Sequence, residues 1–255
     1  SPFDEMQRLK THPVIKNVLE GGKRISYGAR ALTKGGLNSL PKFTFPGGVL
    51  VGDDAGFLNP AKIKGTHTSM KSGMLAAEAI FEALQADRQH DEVVAYTTMY
   101  KESWLYQDNY ESRNFSPAIH RMGLFMGGAF TFIEHNLLKG KMPFTLHDNL
   151  HDYDQLERAA HAYQPTYLKP DGKLVFDKLS SVFISNTNHA EDQPTHLKLT
   201  DPTVPVSINL PLYAEPARLY CPAGVYEVVK DAEGAKFVIN AQNCVHCKTC
   251  DIKDP

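Results

Sequence analysis

Cys244-Val245-His246-Cys247-Lys248-Thr249-Cys250, read with the distant Cys221-Pro222, is the stretch that decides how this chain is built. All four cysteines of the 255-residue sequence fall in these two places. Thiolates spaced by two residues reach three corners of a cuboidal iron–sulfur cluster, and a remote Cys-Pro supplies the ligand for the fourth iron. Zinc also accepts four thiolates, but its sites usually come as two separated Cys-x-x-Cys pairs. A disulfide framework suits small secreted domains, which this is not. The spacing therefore predicts one cluster, [4Fe–4S] in type, held by Cys221, Cys244, Cys247 and Cys250.

Between the two cysteine sites, Val225-Tyr226-Glu227-Val228-Val229 and Lys236-Phe237-Val238-Ile239-Asn240 read as strands. Asp231-Ala232-Glu233-Gly234 between them is a hairpin signal. A hairpin returns the chain beside its start, so Cys221 can meet the other three. Hydrogen bonds to the sulfurs stabilise the more negative, reduced cluster. Tyr226 and Thr249 are the hydroxyl side chains expected to make them; otherwise they are a strand aromatic and a solvated loop residue.

Outward from this motif the sequence is that of an ordinary folded protein. A formal charge of −2 gives no basic excess and no nucleic-acid partner. Phe3, Met6 and Leu9 predict an opening helix that Pro13 interrupts. Gly21, Gly22, Gly28, Gly35 and Gly36 predict short strands and tight turns. A short buried strand is expected over 47–51. From Gly65 a helix follows, with Met70, Met74, Ala77, Phe81 and Leu84 as its apolar stripe. Tyrosine-rich helical sequence fills 91–113, and a domain boundary is expected near residue 150. The last third reads as short β-like runs broken by prolines. Ser1 in place of an initiator Met, and the abrupt stop at Asp254-Pro255, are what an internal fragment would show.

Two further segments carry chemistry. Gly52-Asp53 after a strand is a common nucleotide-contacting turn in flavin proteins, where the carboxylate accepts from a ribityl hydroxyl. A helix starting at Gly65-Thr66 would turn its free N–H groups and positive dipole end toward a flavin. The same pattern also occurs with no ligand, and no pyrophosphate-binding G-x-G-x-x-G accompanies it. Met122 to Ile133 is uncharged and flanked by His120 and Arg121 on one side and by Glu134, His135, Lys139 and Lys141 on the other. It is short of the ~20 residues that span a bilayer, so it reads either as a buried core helix or as a segment dipping into one leaflet.

Gly21-Gly22-Lys23-Arg24-Ile25, Gly28-Ala29-Arg30-Ala31-Leu32, Lys62-Ile63-Lys64-Gly65-Thr66-His67-Thr68 and Lys71-Ser72-Gly73 resemble the electron-transfer flavoprotein–ubiquinone oxidoreductase family. So do Cys221-Pro222-Ala223-Gly224-Val225-Tyr226-Glu227 and the closing run from Asn240 to Pro255. The similarity covers essentially the whole chain, as the C-terminal half to two-thirds of such an enzyme. It implies an α+β / α/β fold: the C-terminal part of an FAD-binding, glutathione-reductase-like domain with a quinone-binding region, then a ferredoxin-like [4Fe–4S] domain. Residues 1–48 would belong to the quinone region, 49–150 to the FAD domain with its membrane segment, and 151–255 to the cluster domain.

By the same resemblance Gly52, Asp53, Gly65 and Thr66 touch FAD, and Gly21, Gly22 and Gly28 help form the quinone region. Phe125 and Phe130 meet the membrane, and Tyr226 and Thr249 lie beside the cluster. The implied enzyme is an electron-transferring-flavoprotein dehydrogenase. It passes electrons from reduced electron-transfer flavoprotein through FAD and the cluster to ubiquinone. It would sit as a monotopic protein on the matrix side of the mitochondrial inner membrane or the cytoplasmic side of a bacterial plasma membrane. The family's short tail after Asp-Pro is missing here. The competing reading is a non-enzymatic ferredoxin-like electron carrier fused to a structural domain.

Overall fold

The computed structural model describes residues 1–232 and 234–254. Glu233 of the expected hairpin turn and Pro255 of the closing motif lie outside the described residues. The chain divides into two compact units, Ser1–Ala31 with Leu150–Pro255, and Leu32–Asn149. The fold is mixed, helical with small sheets, and strands among the described residues are confined to two short hairpins.

Helix α1, Pro2–Lys10, opens the first unit. Ser1 caps it by accepting from the Asp4 N–H, and Asp4 and Glu5 complement its positive end. Pro13 does interrupt, by starting a second helix, α2 (Pro13–Leu19), in which no residue is buried. The glycine-punctuated stretch that follows does not form the expected strands. Residues 22–35 run without regular structure. The bonds of Arg24 go to the helix Lys178–Phe183 and those of Tyr27, Arg30 and Ala31 to the cysteine loops, instead of a partner strand.

In the second unit, β1 (Thr44–Phe45) and β2 (Gly48–Val49) pair antiparallel around Pro46-Gly47. Gly47 takes φ +78°, the left-handed value this turn requires. The buried strand expected over 47–51 shrinks to two half-buried residues, because Gly52 bends the chain at once with φ +64° into a 3-10 turn, Gly52–Ala55.

Helix α3, Thr66–Gln85, starts where the sequence places it, but its faces are reversed. The buried residues are Thr68, Ser72, Leu75, Ala76, Ala79 and Ala83, while Met70, Met74, Phe81 and Leu84 are exposed. Small side chains let α3 pack closely on the Gly52–Ala55 turn and on α4 (Val94–Glu102). Helix α5, Trp104–Glu111, follows after a break at Ser103. Between these elements Phe43 meets Phe57, Tyr96 and Tyr100 edge-on, with ring centroids 5.3–5.5 Å apart.

Helix α6, Phe115–Asn136, is not one rod. Gly123 has φ +73° and ψ 178°, which no helix contains. A Cβ on Gly127 would sit 2.6 Å from the Ala118 carbonyl oxygen and 2.8 Å from Ile119 Cα. Nine residues of straight helix would separate Ala118 and Gly127 by roughly 13 Å. The segment therefore doubles back at Gly123, leaving Met122, Leu124, Phe125 and Met126 exposed at its tip. The chain beyond is tied to the helix start by buried Arg113, which donates to the carbonyls of Gly140, Met142 and Phe144 and to the Thr145 hydroxyl.

The first unit resumes with α7 (Lys178–Phe183), capped by Asp177, and then α8 (Leu210–Tyr213) after one π turn. Helix α9 (Ala217–Tyr220) leads into hairpin β3 (Tyr226–Asp231) and β4 (Gly234–Ile239), and α10 (Thr249–Lys253) closes the described chain. The pairing Tyr226↔Ile239 through Asp231↔Gly234 is the hairpin read from the sequence. Among the described residues no other β-like run of the last third forms a strand; the sequence there folds into the short helices above or into loops.

Candidate metal centre

The hairpin brings its two ends together: the Asn240 N–H donates to the Val225 carbonyl at 2.7 Å. Cys221 closes α9 on one side, and Cys244 follows a 3-10 turn, Ala241–Asn243, on the other. All four cysteines line a single cavity, together with Tyr226 and Thr249. All four are free thiols, with Cys221 and Cys247 buried and Cys244 and Cys250 half-buried. His246 and Lys248, flanking Cys247, take φ +53° and +65°, so the loop turns twice in the left-handed region.

The hydroxyls singled out in the sequence lie beside sulfur. Thr249 Oγ1 is 3.2 Å from Cys247 Sγ. Burial, the larger effect, pushes the Cys250 thiol up, and the Tyr226 phenol beside it acts in the opposite direction. Burial likewise raises Cys244, against which the His246 N–H donates to its sulfur at 3.4 Å. Four thiols on one cavity, with N–H and O–H donors aimed at them, are a donor set that fits an iron–sulfur cluster.

Several partners of the cysteine loops have no motif to announce them. His189 donates through Nε2 to the Cys244 carbonyl at 2.9 Å, and its ring packs against His196 and His246. Tyr27 donates to the Pro222 carbonyl, Arg30 to that of His246, and the Ala31 N–H to that of Cys247. Burial first, then the nearby Cys221 and Cys247, push the Tyr27 phenol up to about 12. Long sequence separation hides these contacts from any spacing rule.

In the second unit Gly52, Asp53, Gly65 and Thr66 come together. The Gly52 N–H donates to Ser72 Oγ at 2.9 Å. A Cβ at Gly65 would lie 2.9 Å from Asp53 Oδ2 and nearer still to Oδ1, so glycine is what lets this carboxylate approach the start of α3. Asp53 Oδ1 is buried with no hydrogen-bond partner, and Gly65 gives α3 no side-chain cap. An orphaned acceptor beside an uncapped helix start is a place for a donor-bearing ligand.

Gly21 and Gly22 line a cavity of about 850 Å³ with Lys16, Lys23, Arg24 and Lys173. Gly28 does not line it, but sits in the extended segment that touches the cysteine loops. Phe125 is 88 % exposed, whereas Phe130 is half-buried and stacks on Phe144 at 6.4 Å.

Comparison with known proteins gives this geometry a family. Residues 172–255 match a family model described as electron transfer flavoprotein-ubiquinone oxidoreductase, 4Fe-4S. Residues 1–32 match one described as ETF-QO, ubiquinone-binding. The chain belongs to the electron transfer flavoprotein-ubiquinone oxidoreductase family. It is 65 % identical to the electron transfer flavoprotein-ubiquinone oxidoreductase of Pseudomonas aeruginosa, over all of this chain and 47 % of that protein. It is 51 % identical to the mitochondrial protein of that name from Rattus norvegicus, over all of this chain and 43 % of that one. The chain thus spans about half the length of these relatives. The stretch matching the oxidoreductase family's 4Fe-4S model contains all four cysteines, Tyr226 and Thr249.

Proposed function

We propose that this chain forms the cluster-bearing part of a membrane quinone reductase. The whole protein takes electrons from reduced electron-transfer flavoprotein through FAD and a [4Fe–4S] cluster and delivers them to ubiquinone. The observation that carries this reading is the cavity shared by four free thiols and two hydroxyls within the segment that matches the 4Fe-4S model. Bound there by Cys221, Cys244, Cys247 and Cys250, the cluster supplies one-electron chemistry.

The chain's own residues bind and tune. The thiols ligate as thiolates, so loading releases their protons. Tyr226 and the His246 N–H donate toward sulfur, and the Thr249 hydroxyl, which accepts from the Cys247 thiol, would donate to it once Cys247 is a thiolate; all three would favour the more negative reduced state. In the second unit Asp53 would accept from a ribityl hydroxyl of FAD, with Gly52 and Gly65 giving backbone room. The uncapped start of α3, at Thr66, would direct its N–H groups toward the ring. From residue 49 on, that unit is read as part of a glutathione-reductase-like FAD domain. Residues 1–48, with Gly21, Gly22 and Gly28, are read as quinone region, 49–150 as FAD domain with its membrane segment, and 151–255 as cluster domain.

Among the described residues no helix is long and apolar enough to cross a membrane. The doubled-back α6 instead offers an apolar tip, with Phe125 foremost, to one leaflet. This suits a monotopic protein reducing a lipid-dissolved quinone on a mitochondrial inner or bacterial plasma membrane.

Anaerobically purified protein, once reduced, should give the EPR signal of one [4Fe–4S]⁺ centre and release flavin on denaturation. Stoichiometric zinc without iron would refute the metal assignment. Cluster absorbance without flavin in the intact protein would point to a simple electron carrier.

A further inference from the structure

We propose that Tyr27-Gly28-Ala29-Arg30-Ala31 is a positioning strap that sets the cluster's reduction potential by donating hydrogen bonds to three carbonyls of the two cysteine loops. This rests on the four-cysteine reading above. The Tyr27 hydroxyl donates to the Pro222 carbonyl at 2.8 Å, directly after the ligand Cys221. Arg30 Nη1 donates to the His246 carbonyl at 3.2 Å, and the Ala31 N–H to the Cys247 carbonyl at 2.8 Å. One five-residue segment thus grips both loops that must converge on the metal.

Three physical effects follow. The left-handed backbone at His246 and Lys248 is unfavourable for side-chain-bearing residues and persists only where its surroundings hold it. The bonds from Arg30 and Ala31 fall on the two peptides between those residues. A carbonyl that accepts a hydrogen bond also polarises its own peptide, so the N–H groups of Cys247 and Lys248 become stronger donors. Arg30 adds positive charge at the same loop. Reduction adds one negative charge to the site, so the strengthened N–H dipoles and the Arg30 charge favour the reduced state, while the held backbone fixes the loop that carries them.

The strap is itself anchored. The Tyr27 ring packs edge-on to Phe3 at 5.9 Å. Arg24, just before it, donates to the Ser180 and Ser181 hydroxyls and stacks 4.0 Å over Phe176. The three acceptors are backbone carbonyls, so none of this requires a particular side chain in the cysteine loops.

The test is an EPR-monitored redox titration of the intact protein, with iron measured in each sample. Tyr27→Phe and Arg30→Gln should keep their iron, and reduction should become about threefold to tenfold less favourable, tenfold being ~59 mV for a one-electron couple. Arg30→Lys, which keeps the charge, should recover most of the shift. A shift in either variant with iron retained supports the strap. Unmoved potentials in both, or iron lost from both, overturn it, the latter because the segment would then serve assembly alone. Iron-free wild-type protein would instead overturn the underlying four-cysteine reading, so the two failures are distinguishable.

Discussion

Tyr226 and Thr249 each place a hydroxyl beside one sulfur, so their removal should act on energy without removing a ligand. A hydrogen bond of net ~1 kcal/mol corresponds to roughly 40 mV for a one-electron couple. Tyr226→Phe and Thr249→Ala should therefore each lower the cluster potential by about that amount at unchanged iron content. An unmoved potential in the double variant would remove both residues from this role. Glu215 poses a different problem. It is fully buried, one oxygen accepts from the Ala217 N–H, and the other has no partner. Burial holds its carboxyl above the usual range, with Asp254 adding to the effect and Ala217 and Arg218 opposing it. Folding thus favours the protonated acid: this contribution to stability is complete below 4.5 and is lost as pH rises through the raised folded value. Glu215→Gln, which is neutral throughout, should flatten the decline of Tm on the alkaline side of 4.5. An equally steep decline in the variant would mean that Glu215 ionises in the fold without cost.

Among the elements, α3 shows what sequence periodicity does and does not reveal. Its extent was legible from Gly65 onward, because spacing of three and four repeats whichever side faces inward. Its buried face was not, since Met70, Met74, Phe81 and Leu84 outweigh the alanines and serines that pack closely inside. Ala79→Leu should thus cost ~1–3 kcal/mol by overpacking, while Phe81→Gln, at a side chain 63 % exposed, should change stability little. Urea denaturation of both variants checks the pair, and the opposite order would restore the sequence-derived face. The β3–β4 hairpin was legible as well, because strand sequence on both sides of a turn signal fixes a local pairing. The extended course of 22–35 was not. Its long-range bonds run to residues 82 to 216 positions away, such as Ser116, Ser181 and His246, and no local pattern encodes them. The cysteines could be found from spacing alone. Tyr27, Arg30 and His189 could not.

For the whole molecule, the exposed tip of α6 makes the membrane reading testable. Phe125→Asp should reduce binding to anionic liposomes by about tenfold or more at unchanged Tm, since burying one Phe contributes ~1.5–3 kcal/mol. Phe130→Asp should instead lower Tm, because that ring is half-buried on Phe144. Unaltered liposome binding by the Phe125 variant would leave the tip without a lipid role. The reversal at Gly123 also fixes how deep such an anchor can go. The arm over 115–122 is about 12 Å long at 1.5 Å per residue, less than half of a ~30 Å hydrocarbon layer. An anchor confined to one monolayer has no length to match against bilayer thickness, so hydrophobic mismatch would not sort it between thin and thick membranes. Its hold would vary instead with how loosely the facing monolayer is packed, and hence with curvature.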